Sequence, residues 1–160
     1  GELIRTGRGL YVSAVGDISE NHSLAAVARQ VPKGVICLLS ALRFHGLTTQ
    51  LPPDVWLAIP SQARRPKGAA ASIRPVHFSG RALTAGVEEH VVEKVPVRVY
   101  CPAKTVADCF KFRNKVGLDV AIEALRDCWQ QRKAKAEELR RYARICRVEN
   151  VMRPYMESLI

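Results

Sequence analysis

Val87-Glu88-Glu89-His90-Val91-Val92-Glu93-Lys94-Val95-Pro96-Val97-Arg98-Val99-Tyr100, followed at once by Cys101-Pro102-Ala103-Lys104-Thr105-Val106-Ala107-Asp108-Cys109-Phe110, is the stretch that decides the fold. Two runs rich in β-branched residues flank Glu93-Lys94 and read as a hairpin, 87–92 with 95–100. Pro96 has no N–H to give a ladder, so the second strand frays or lies at an edge there. Pro102 suits a first helical position, and Ala103, Val106, Ala107 and Phe110 fall on one face of the helix it opens.

Upstream, Val55–Ile59 and Ile73–Phe78 are two more short β-rich runs, separated by the basic Pro/Gly/Ala stretch 60–71. Hairpin-length links cannot make parallel crossovers, which predicts a mainly antiparallel central sheet over residues 54–100. Downstream the periodicity is helical. Leu118, Ala121, Ile122, Leu125 and Trp129 form one face; Leu139, Tyr142, Ala143 and Cys146 form another; Met152, Tyr155, Met156 and Leu159 form a third. Pro154 is expected to start or kink the last of these helices rather than sit in its middle. The expected fold class is α+β, a mainly antiparallel central sheet packed by C-terminal helices.

Towards the N-terminus, Val35 to His45 is apolar on nearly every side and reads as buried, with Gly46 placed to end a helix. Ser40 can cap a helix from Ala41, which leaves 35–39 open between strand and helix. Asn21 can cap a helix with Leu24, Val27, Ala28 and Val31 on its apolar face, ended by Pro32, after a linker over 13–20. Residues 3–12 read as two short strands around Gly7-Arg8-Gly9, whose glycines supply the positive φ of a tight turn. Such a turn lifts Arg8, with Arg5 nearby, to an exposed tip, either as a plain surface hairpin or as the wing of a winged helix-turn-helix. The chain opens on Gly1 inside this strand-like run, which leads us to expect further chain before it. The expected division is 1–13, a hairpin that is either a plain surface turn or a remnant wing hairpin, and 14–160, an α/β domain.

The 160 residues carry a net charge of +10 and are 48% hydrophobic, enough to bury a core. Residues 60–81 hold Arg64, Arg65, Lys67, Arg74 and Arg81 with no acid, and 132–147 hold seven Lys/Arg against Glu137 and Glu138. Such clusters either solvate the surface or attract polyanions, nucleic acid above all. No apolar run approaches the ~20 residues that cross a bilayer, so no membrane partner is expected. The cysteines Cys37, Cys101, Cys109, Cys128 and Cys146 are odd in number and lack a CxxC pair, which points to reduced, mostly buried thiols in a cytoplasmic protein.

Chemistry-bearing patterns are sparse. The histidines His22, His45, His77 and His90 do not stand at metal-ligand spacing from Cys, Asp or Glu. P-loop, GxSxG and GxGxxG signatures are missing, as is the carboxylate-x-lysine pattern of many metal nucleases, although Asp54 and Glu88 remain possible ligands. Asp108 lies within helical reach of Lys104 and Lys111 and reads as a surface ion pair. His45, just before Gly46, suits the carbonyls of a helix C-terminus. No catalytic residue, metal or cofactor is expected.

Four segments in order carry a resemblance: Gly7-Arg8-Gly9-Leu10-Tyr11, then Ser40-Ala41-Leu42-Arg43-Phe44-His45-Gly46-Leu47-Thr48, then Cys101 to Phe110, then Arg153-Pro154-Tyr155. Together they resemble the AbiEi family of type IV antitoxins across essentially the whole chain. The resemblance implies a winged helix-turn-helix fused to an α/β antitoxin domain, repressing its own operon and opposing a nucleotidyltransferase-like toxin without a tight direct complex. It implies DNA, the protein's own promoter, as partner. The residues expected to face it are Arg5 and Arg8 on the wing and Arg64, Arg65 and Lys67 in the basic loop, all as phosphate contacts. Cys101 stands where the family more usually has Ser, a weaker helix cap. The alternative is a stand-alone nucleic-acid-binding regulator with no toxin partner.

Overall fold

The hairpin forms as its sequence requires. In the computed structural model, which describes residues 15–64, 66 and 72–160 (side chains from residue 22), strands β4 (Val87–Val92) and β5 (Val95–Tyr100) pair antiparallel with Val92 opposite Val95. Glu93 and Lys94 both take positive φ, 50° and 67°, the twist a two-residue hairpin turn demands. The segment 3–12, with its expected wing, lies outside the described residues.

Around this hairpin the described residues fold as an α+β domain. Its elements run α1 (Val15–Gln30), β1 (Val35–Ile36), α2 (Leu38–His45), β2 (Val55–Pro60), β3 (Ile73–Phe78), α3 (Gly80–Thr84), β4, β5, α4 (Pro102–Lys111), α5 (Arg113–Val116), α6 (Leu118–Gln130), α7 (Ala136–Ile145) and α8 (Glu149–Leu159). The strands lie in the order β3-β2-β1-β5-β4. The sheet is mixed, which corrects the mainly antiparallel expectation. β1 pairs antiparallel with β2, as β4 does with β5, but β2 runs parallel to β3 and β1 parallel to β5. The reason lies in the basic connection: residues 61–72 are about a dozen, long enough to carry the chain back for a parallel partner. Pro96 is tolerated inside the sheet because β1 reaches only Val99 on that side of β5.

Alternation along the strands divides the core in two. Val55, Leu57 and Ile59 of β2 and Val95, Val97 and Val99 of β5 pack with Leu24, Ala25 and Val27 of α1. Trp56, Ala58, Val76, Phe78 and Tyr100 point the other way, into a cluster with α2, α4, α6, α7 and α8. The sheet is thus covered on both faces, which is why β2 is buried along nearly its whole length.

Several local readings shift. Helix α1 starts at Val15, so Asn21 is inside it and the expected linker is largely helix. The ambiguous 35–39 divides into strand Val35–Ile36 and the start of α2, with Cys37 as N-cap. Ser40 does not cap: its hydroxyl accepts the Trp56 N–H at 2.9 Å and ties α2 to β2. Gly46 ends α2 with φ 72°, as expected. In α6 the buried face is Val120, Ala121, Ala124, Leu125 and Cys128, turned from the expected one so that Leu118 is exposed. Pro154 sits inside α8; the carbonyl its missing N–H forgoes is that of Asn150, in the first turn.

Candidate nucleic-acid interface

The charged groups fall into two sets, one sealed in the core and one left in solvent. Lys104 and Asp108, expected at a helix surface, are both 0% exposed. Helix α4 is enclosed by α2, α6 and α7, and the Lys104 ammonium donates to both Asp108 oxygens at 2.9 and 2.7 Å. That ammonium also lies 3.7 Å from the Tyr100 ring centroid, and the Cys146 thiol donates to Asp108 at 3.3 Å. Burial pushes the Asp108 carboxyl up, and the Lys104 charge pulls it partly back. Burial, then the nearby Asp108 charge, pushes the Cys146 thiol up to about 12. Gly86 (φ 79°) leaves room for this pair, since a Cβ there would come within 2.7 Å of the Lys104 Cβ. The pair reads the fold, not the solvent.

The His45 and His90 rings lie 6.3 Å apart with Phe44 against both, yet each histidine bonds to a separate partner. His45 sends its Nε2–H to the Tyr100 carbonyl at 2.8 Å rather than to the end of its own helix. The carbonyls there are served instead by Lys133, bonded to His45 O, and by Gln131, bonded to Gly46 O at 3.3 Å. His22 pairs with Glu93, His90 with Glu88, and His77 with the Ala63 carbonyl. Among the described residues, no three His, Cys, Asp or Glu side chains stand together as metal ligands. All five cysteines are free; four are buried and Cys101 is half-buried, at the α4 N-cap without a side-chain cap bond.

Two basic surfaces remain. The first is the edge strand β3 with its flanking segments. Arg64 is exposed on the 61–72 connection, Arg74 is exposed on β3 with its guanidinium 4.2 Å over the Trp56 ring, and Arg81 is exposed on α3. Of the other expected DNA-facing residues, Arg5, Arg8, Arg65 and Lys67 lie outside the described residues. The second surface comes from α7. Its Leu139 and Ala143 face the core, so Arg140, Arg141 and Arg144, with Arg147 just beyond, face water. The Glu138 carboxylate accepts the Lys135 N–H at 3.0 Å and fixes the start of this helix. A positive φ of 60° at Arg147 turns the chain into α8.

Between α7 and α8 lies a groove of about 420 Å³, lined by Arg140, Arg144, Glu149, Arg153 and Glu157 over Ala143, Met156 and Ile160. The basic run 132–147 is visible in sequence, but Arg153 joins it only through the packing of α8 on α7. Among the described residues, none of these arginines, nor Arg64 or Arg81, forms an ion pair.

These features define an α+β domain with two basic surfaces around a sealed core. No protein-family model matches the chain, and no curated protein matches it. Among the described residues no helix is long and apolar enough to cross a membrane.

Proposed function

We propose that this chain is the body of a type IV antitoxin and operon autoregulator of the AbiEi kind, which contacts DNA phosphates and counters a nucleotidyltransferase-like toxin in the cytoplasm. The observation that carries the DNA part is the basic edge of the sheet: residues 60–81 contain no acid, and Arg64, Arg74 and Arg81 are all exposed along it. Guanidinium groups that have no carboxylate partner among the described residues suit phosphate oxygens. They fix a protein on a duplex without reading bases, so this body adds affinity and leaves sequence choice to a recognition helix. The antitoxin part is supported by the four sequence segments quoted above and by the free thiols, which suit a reducing compartment.

The test is a salt titration of labelled promoter and scrambled duplexes by fluorescence anisotropy. Binding should weaken steeply between 50 and 200 mM salt, on the counterion-release scale, and barely distinguish the two sequences. A triple variant, Arg64→Ala with Arg74→Ala and Arg81→Ala, should flatten the log–log slope by roughly one unit per lost contact. A strong promoter preference at physiological salt would place sequence reading in the body itself and overturn the division of labour. Co-expression with a neighbouring nucleotidyltransferase-like reading frame should restore growth; retained DNA binding without rescue selects the stand-alone regulator instead.

A further inference from the structure

The groove between α7 and α8 is chemically different from the basic edge. Its volume of about 420 Å³ falls in the range of small-ligand sites. Arg140 and Arg144 stand one turn apart on α7, a like-charge spacing that costs a helix stability unless something else occupies the charges. Arg153 faces the same groove from α8. Glu149 and Glu157 lie one turn either side of Arg153 and also line it, yet among the described residues they pair with none of the three arginines. The floor is apolar: Ala143 and Met156 are buried, and Ile160 is half-exposed.

Each part selects a ligand feature. Three guanidinium forks donate hydrogen bonds to the oxygens of a phosphate group. The thioether of Met156 beside Ile160 suits contact with an aromatic ring. Two carboxylates accept hydrogen bonds from hydroxyl or amino groups and repel a ligand that is negative along its whole length. A phosphate, a ring and several donors in one small molecule describe a nucleotide.

We propose that the α7–α8 groove binds a nucleoside phosphate, with the phosphate on Arg140, Arg144 and Arg153 and the base over Met156. The same chemistry is offered by a free nucleotide and by the 5′-phosphorylated end of a strand. This inference does not depend on the basic edge or on the antitoxin reading.

The test is calorimetric titration of the full chain with ATP, AMP, adenosine, tripolyphosphate and a short oligonucleotide with and without a 5′-phosphate. ATP or AMP should bind, adenosine should not, and tripolyphosphate should bind at least tenfold more weakly than ATP. If the natural source is a strand end, the phosphorylated oligonucleotide binds more tightly than the free nucleotides; if it is a free nucleotide, the order reverses. Arg144→Ala and Arg153→Ala, both at exposed positions, should each weaken nucleotide binding by roughly tenfold, the scale of one charge-assisted hydrogen bond. Equal binding of ATP and tripolyphosphate, or no binding of any nucleotide, overturns the proposal. The triple variant of the basic edge separates the two sites: it should lose DNA affinity and keep nucleotide binding.

Discussion

Lys104 and Arg153 sit at the same helical spacing from a carboxylate, and their fates are opposite. Lys104 has Asp108 four residues on and is locked to it by two short hydrogen bonds, with neither residue exposed. Arg153 has Glu149 and Glu157 four residues away on either side and pairs with neither. Spacing supplies an opportunity for both; desolvation decides. In the core an unpaired charge is costly, so the ammonium and carboxylate hold each other. In water the same pairing contributes little and leaves the guanidinium available to something else.

The strongest way to break this contrast is at Asp108. Asp108→Ala strands a buried ammonium and should cost about 3–5 kcal/mol in urea unfolding. Replacing both partners, Lys104→Met with Asp108→Leu, should recover most of that loss, because well-packed apolar side chains often match a buried pair. A small loss in the single variant would show that the pair contributes far less than its burial implies.

His45 stands between the extremes, partly buried and hydrogen-bonded to the Tyr100 carbonyl. Burial lowers its pKa below the ordinary 6.5, against the pull of that bond. The unfolded chain therefore takes up a proton that the folded one refuses. The stability this group contributes is present above pH 6.5 and is lost as pH falls through the folded pKa. His45→Gln, which keeps a donor for Tyr100, should flatten the stability curve between pH 7 and 5, by less than the Asp108 effect; an unchanged slope would assign the pH dependence elsewhere.

The smallest effect sharpens the outer half of the comparison. Arg144→Ala should change unfolding free energy by no more than about 0.5 kcal/mol, as for exposed positions generally. A larger loss would mean that the groove arginine holds α7 to α8 and is not available to a ligand.

What the sequence makes legible is what neighbouring residues decide. The β-branched alternation of 87–100 gives both strands and their turn, Pro102 gives the start of α4, and Gly46 gives the end of α2. What it hides depends on partners far along the chain. The Lys104–Asp108 spacing is identical on a buried and an exposed helix, so burial of the pair was not readable from it. The parallel β2–β3 pairing depends on the length of the 61–72 connection, which its basic composition does not reveal. Of the expected DNA-facing residues Arg64 is exposed, and Arg153 is not legible because only the packing of α8 on α7 brings it to the groove of Arg140.

Strand β1 gives the sheet only Val35 and Ile36, set against Ala58 and Leu57 on one side and Val99 on the other. On either flank stands a ribbon of six aligned residue pairs, one parallel and one antiparallel. The sheet is two ribbons stitched through a two-residue seam, so the weakest line of backbone bonding runs through its centre and not its margins. Local opening is set by how many bonds must part together. The ribbons can therefore part along this seam with each still intact, and the helices packed over both faces are what keep it closed.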